Sequence, residues 1–174
     1  TIEKFAKMRD LDLAWLYALI RAESAFIEEV RSPAGALGLM QVMPATGKLT
    51  AKNIGLRKYN TKKLLQSSVN IRIGSAYLKH MYAAFNDNMV LATAAYNAGP
   101  TNAKRWLPKK QCEQADIWIE KIPFTETRKY VRRILYFASV YDWRLKREIT
   151  PIQQRVSLVQ PNKQIVAKKS CPTT

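Results

Sequence analysis

Apolar residues recur at helical spacing in several stretches of this chain, and each stretch ends at a cluster of turn-forming residues. Leu13, Leu16, Tyr17 and Ile20 mark the first, with Asp12 as its N-cap. Pro44 suits the first position of a second helix and Gly55 its end. Ile71, Leu78, Met81, Tyr82 and Phe85 mark a long helix through Asn86. Val90 to Tyr96 is short, apolar and Ala-rich, which suits a buried helix that Pro100 closes. Lys104 to Leu107 predicts one more short helical turn. Val131, Ile134, Leu135 and Ala138 line one face of the last strong helix, after Pro123-Phe124-Thr125. Ser32-Pro33-Ala34-Gly35 and Asn86-Asp87-Asn88 read as turns. Lys109 to Glu113 reads as a polar loop and Tyr59 to Gln66 as a basic irregular stretch. Leu39 to Val42 has room only for one strand of a small hairpin. The expected fold is mainly α, with at most that hairpin.

The length, 174 residues, suits one compact domain with a tail. The expected division is a lead-in over residues 1–11, a main domain over 12–145 and a basic tail over 146–174. No apolar run reaches 18 residues, so no membrane span is expected. The start, Thr1-Ile2-Glu3-Lys4, is polar, with no signal peptide and no initiator Met, so a processed form or an excised piece is expected. Lys and Arg outnumber Asp and Glu by 29 to 13, a formal charge of +16. Such a field draws in polyanions, whether nucleic acid, anionic membrane or cell-wall polymer, without choosing among them. The two cysteines, Cys112 and Cys171, lack CxxC spacing, and the single histidine, His80, completes no zinc set. A disulfide from tail to body and a pair of free thiols both remain open. No metal or cofactor is expected.

One carboxyl group stands out. Glu23 comes late in the first helix, where the helix dipole disfavours an anion. Ile20, Ala22, Ala25 and Phe26 around it suggest partial burial. Both effects raise a carboxyl pKa and keep the proton near neutral pH, as a general acid requires. The bland alternative is a solvated helix glutamate. Gly35 and Gly38 read as a plain turn or as a close backbone approach to a ligand, and Gln41 is suited to sugar amides and hydroxyls. Asn97 or Gly99 reads as a C-cap, and Tyr96 as a group for the carboxyl or a substrate. Glu126 is explained by the dipole of the helix it begins. Trp15, Trp106, Trp118 and Trp143 suit the core more than sugar stacking. His80 reads as a surface residue, and no Walker, Rossmann or EF-hand motif is present.

Five segments, in this order, resemble the catalytic domain of the soluble lytic transglycosylases. They are Glu23-Ser24-Ala25-Phe26; Ser32-Pro33-x-Gly35-Ala36-x-Gly38-Leu39-Met40-Gln41-Val42-Met43-Pro44; Asn70-Ile71-x-Ile73-Gly74; Ala94-Ala95-Tyr96-Asn97-Ala98-Gly99-Pro100; and Ile122-Pro123-Phe124-x-Glu126-Thr127-Arg128-x-Tyr130-Val131. Any one segment is a weak signal, whereas five in order are specific. The match runs from Asp12 to Tyr141. It departs at Thr101, where relatives often carry Gly.

The resemblance implies a goose-lysozyme-like helical bundle around a substrate groove. It implies Glu23 as the lone catalytic acid/base, with Ser24, Ser32, Gln41, Met43, Thr46, Tyr96, Asn97 and Glu126 binding substrate. The implied substrate is the peptidoglycan glycan strand, cut between N-acetylmuramic acid and N-acetylglucosamine to leave a 1,6-anhydro end. The implied setting is the periplasm or cell envelope, with cell-wall synthesis or envelope-assembly proteins as partners and no nucleic acid. One alternative is a muramidase that uses water on the same fold. A less favoured one is a basic module holding nucleic acid through Arg128, Lys129, Arg132 and Arg133.

Overall fold

The structure is a computed structural model that describes residues 1–162, 167 and 171. It is mainly α, and its contacts divide it into two compact units, residues 1–79 and 80–174.

In the first unit, residues 2–8 form helix α1, which buries Phe5 and Ala6 and packs on helix α2, Leu13–Ser24. The Asp12 carboxylate accepts the Trp15 N–H at 2.7 Å, which satisfies an amide that the helix cannot. Trp15, Leu16, Leu19 and Ile20 of α2 are at most 2% exposed. Burying each such side chain stabilises the fold by about 1.5–3 kcal/mol. Helix α3, Pro44–Asn53, begins at its proline. The basic stretch after it is not irregular throughout, because Thr61–Leu65 forms a 3-10 turn capped by Asn60. Helix α4, Ser67–Ala84, follows. The sequence reading missed α1, although Arg9 beyond its end donates to Ser75 Oγ and the Arg72 carbonyl of α4, both at 3.1 Å.

The loop between α2 and α3 has no extended strand. Its pairing consists of the isolated bridges Arg31↔Leu37 and Leu37↔Val42. A buried amide replaces a sheet as its support. Asn70 of α4 accepts the Met40 N–H at 2.8 Å and donates to the carbonyls of Leu37, at 2.8 Å, and Leu64, at 2.7 Å. Two glycines permit this approach. A Cβ on Gly38 would collide with the Leu64 carbonyl and the Asn70 amide, and one on Gly74 would collide with Met40. Close approach thus explains Gly38 without any ligand.

In the second unit, α5, Met89–Ala98, is buried from Met89 through Ala95. Asn88 caps it by accepting the Leu91 N–H at 3.1 Å. Pro100 does more than close α5, because it is the first residue of α6, Pro100–Arg105. Gly99 between them has φ 84°. The predicted helical turn at Lys104 to Leu107 therefore begins earlier than expected. Ala115–Glu120 forms α7, unseen in the sequence, with Trp118 and Ile119 buried. The long helix α8 spans Thr125–Arg144 and packs on α5 and α7.

The described part of the tail is pinned down. Asp142 of α8, wholly buried, accepts hydrogen bonds from Arg155 in the short helix α9, Ile152–Arg155, and from the Thr150 N–H. Val159 pairs with Glu113 through two backbone hydrogen bonds of 2.8 and 2.9 Å. Cys112 and Cys171 form a disulfide, which settles the open cysteine question. The rest of the basic tail, residues 163–166, 168–170 and 172–174, lies outside the described residues. Among the described residues, no helix is long and apolar enough to cross a membrane.

Candidate active site

Glu23 is the penultimate residue of α2 and is half-buried. The chain leaves the helix sharply just after it. Ala25 and Phe26 have φ of 51° and 66°, a left-handed conformation that costs a non-glycine residue roughly 1–2 kcal/mol. Ser24 and Phe26 offset that cost. The buried Ser24 hydroxyl donates to the Ile20 carbonyl and accepts the Phe26 N–H, both at 3.1 Å. The Phe26 ring lies 6.1 Å from that of Tyr17, within aromatic contact range. The strained turn therefore ends the helix one residue past Glu23.

The other candidates of the first unit lie in the loop and helix that follow. Ser32 accepts the Ala36 N–H at 2.9 Å and so shapes the turn at Gly35. Gln41, at φ 44°, donates its amide to the carbonyls of Gly38, at 2.8 Å, and Val30, at 3.2 Å. Its own Oε1 is the acceptor left over for another molecule. Met43, the N-cap residue of α3, is 42% exposed, and Thr46 is half-buried one turn later. Glu28 and Glu29 are exposed turn residues.

In the second unit, Tyr96 and Asn97 occupy the last turn of α5 and Glu126 the exposed first turn of α8. One bond joins these helix ends: Thr127 Oγ1 donates to Asn97 Oδ1 at 2.7 Å. With Oδ1 engaged, the Asn97 amide presents its N–H donors. Arg128 donates to the carbonyls of Ile122, at 2.9 Å, and Glu120, at 3.3 Å, which anchors the start of α8 on the end of α7. Sequence reasoning assigned no role to Thr127. Its 1% exposure beside exposed Glu126 is the signal, and only coordinates carry it.

The remaining readings sort by burial. Trp15 and Trp118 are core residues, Trp106 is half-buried and Trp143 is 68% exposed. His80 is exposed. Among the described residues, no group of three or more His, Cys, Asp or Glu side chains is placed to hold a metal ion.

The family model described as the transglycosylase SLT domain matches residues 1–119. The chain belongs to this family. Its relatives include the soluble lytic murein transglycosylase of Salmonella typhimurium, 39% identical over 140 residues, which are 79% of this chain and 22% of the relative. The Escherichia coli K12 protein of the same name is 37% identical over 143 residues, 81% of this chain and 22% of its own. Among solved structures, an inactive glutamate-to-glutamine mutant of a lytic transglycosylase from Pseudomonas aeruginosa aligns at a TM-score of 0.86 and 42% identity. That alignment covers 92% of this chain and 26% of the other. The 70 kDa soluble lytic transglycosylase of Escherichia coli aligns at 0.80 and 32% identity, over 90% of this chain and 25% of the other. The SLT-domain chain thus has the mainly helical, lysozyme-like fold of these enzymes. It spans about a quarter of the length of the relatives it matches.

Proposed function

We propose that this SLT domain is a lytic transglycosylase that cleaves the peptidoglycan glycan strand between N-acetylmuramic acid and N-acetylglucosamine, with Glu23 as its single acid/base. The activity is assigned to residues 12–145. The observation that carries the reading is the turn after α2, which spends backbone strain to end the helix just past one half-buried carboxyl. The Pseudomonas relative, inactive as a glutamate-to-glutamine mutant, supports carboxyl chemistry.

In the proposed reaction, protonated Glu23 gives its proton to the bridging oxygen as the glycosidic bond breaks. The muramic N-acetyl group stabilises the cation at C1, as in substrate-assisted glycosidases. Ionised Glu23 then takes the proton from the muramic C6 hydroxyl, whose oxygen bonds to C1. The product is a 1,6-anhydro end and no water is consumed, so a single carboxyl suffices. Sugar-binding roles are assigned to Gln41 Oε1, Ser32, Met43 and Thr46 in the first unit, and to the Asn97 amide, Tyr96 and exposed Glu126 in the second. Ser24 would act through the turn it holds. The +16 charge would steer an anionic polymer toward the protein. The disulfide suits an oxidising compartment and supports the periplasm or envelope as the site of action.

Mass spectrometry of products from purified peptidoglycan tests the reading. Products lighter by one water than hydrolytic products are expected from the native chain. Glu23→Gln should lower the rate about 100-fold or more, the range of a lost general acid, while keeping its fold. Reducing ends of full mass would instead identify a muramidase, with Glu126 the first candidate for a second carboxyl. An active Glu23→Gln protein would remove Glu23 from the chemistry.

A further inference from the structure

We propose that the outer face of α8 docks reversibly on an anionic lipid surface, with Tyr136 and Trp143 as anchors and Lys129 and Arg133 as charge contacts. This docking is independent of glycan cleavage. Tyr136 is 63% exposed and Trp143 68%, the highest values of any large apolar side chain among the described residues. They stand about two turns apart on one side of α8. Trp143 lies about 25 Å along the helix from Glu126, so the anchors are separate from the candidate sugar-binding residues of this unit.

The helix period places Lys129, Arg132 and Arg133 on the same side as the two aromatics. Between Lys129 and Arg144 the one acid is Asp142, which is buried and held by Arg155. Glu120 of α7 pairs with Arg132. Lys129, Arg133 and Arg144 are exposed, and no acid matches them among the described residues. The apolar surface widens at the helix end. The Thr150 N–H and Arg155 both reach Asp142, the residue before Trp143, and so bring the tail back against α8 there. Ile149 and Ile152 of that segment are 51% and 46% exposed.

Aromatic anchors, aliphatic neighbours and unmatched cations make up an interfacial membrane contact. Tyr and Trp favour the headgroup level, because each joins an apolar ring to one polar atom. Lys and Arg are drawn to anionic headgroups, and the charge of +16 on the whole chain strengthens that pull. Membrane affinity scales with buried apolar area plus electrostatic attraction, and this face supplies both. A nucleic acid fits the face less well. Bases would stack on the aromatics, but Ile149 and Ile152 offer no ring to stack on. Arg128 and Arg132 are already engaged at α7 and the residues just after it. The disulfide suits an oxidising compartment, where a membrane surface is at hand. A second copy of the chain would set like charge against like.

Sedimentation of the whole chain with lipid vesicles tests the docking. Vesicles of phosphatidylglycerol and phosphatidylethanolamine should carry the chain down, and neutral phosphatidylcholine vesicles should not. Trp15 and Trp118 are buried and Trp106 is half-buried, so Trp143 is the tryptophan whose surroundings change most. Binding should move tryptophan emission to shorter wavelength, and Trp143→Ala should remove that shift. Tyr136→Ala/Trp143→Ala should weaken binding about tenfold, and so should Lys129→Glu/Arg133→Glu. All four side chains are exposed, so circular dichroism should show both variants folded. Failure to bind the anionic vesicles, or equal binding of neutral ones, would overturn the proposal. Wild-type affinity in the folded aromatic variant would reduce the attraction to general charge and overturn it as well. A single-stranded oligonucleotide bound more tightly than the vesicles, and released by the same substitutions, would give the face to nucleic acid instead.

Discussion

Each unit holds its irregular segment with one buried polar side chain, and the two units use opposite chemistry. In the first, Asn70 fastens the loop between α2 and α3 with three neutral hydrogen bonds. In the second, Asp142 fastens the start of the tail with a carboxylate held by Arg155 and the Thr150 N–H. Both anchors are 0% exposed. The neutral anchor has nothing to titrate near neutral or acid pH. For Asp142, burial pushes the carboxyl pKa up, but hydrogen bonds from Arg155 and Thr150 and the charges of Arg155 and Arg147 outweigh it and hold it low. The lesson is that a loop bearing candidate binding residues is anchored independently of pH, whereas the link from α8 to the start of the tail depends on a carboxylate that stays ionised.

Substitution of the anchors can break that contrast. Asn70→Ala has the largest expected effect on stability. It orphans the Met40 N–H and the carbonyls of Leu37 and Leu64, at about 1–3 kcal/mol for each buried group left unsatisfied. A loss of about 4 kcal/mol, read from urea unfolding, should be the same at pH 7 and pH 4. A loss confined to one pH would give Asn70 a partner that titrates.

Asp142→Asn should cost about 3 kcal/mol at pH 7, because it leaves Arg155 buried without its counter-charge. The folded-state pKa lies below the unfolded value of about 3.9. The stabilisation is therefore complete above that value and is lost as pH falls through the folded one. Wild type should lose stability on acidification in that window, and the difference from Asp142→Asn should shrink there. An unchanged difference at pH 2 would mean that the pair acts through shape and not charge.

Thr127→Val sharpens the contrast at the smallest scale. It removes the bond to Asn97 and little volume, so stability should fall by only about 1 kcal/mol. If the bond positions the Asn97 amide for a sugar, KM on peptidoglycan should rise several-fold with kcat nearly unchanged, and Thr127→Ser should restore it. A Thr127→Val protein with wild-type KM would reduce the bond to a helix tie.

Much of the fold was legible because helix formation is local. Asp12 caps a helix whose first turn is three residues away, and Pro44 begins one by its own ring geometry. The candidate carboxyl was legible for the same reason, since Glu23 is identified by its place at a helix end. Helix α7 was missed because six residues with three consecutive large apolar side chains have no helical pattern until α8 supplies the surface that two of them cover. The turn at Ala25 and Phe26 was hidden because no glycine announces it.

Local spacing in the chain thus settled the helices α2, α3, α4, α5 and α8, the helix-end position of Glu23 and the excess of positive charge, because each depends on neighbouring residues or on composition. Folding settled the rest. Gly38 answers to a side chain on α4, Asn97 is turned by a hydroxyl 30 residues away, and Cys112 finds a partner 59 residues along. These pairings depend on buried groups that must find partners once water is excluded, and the chain meets those partners only when its helices pack.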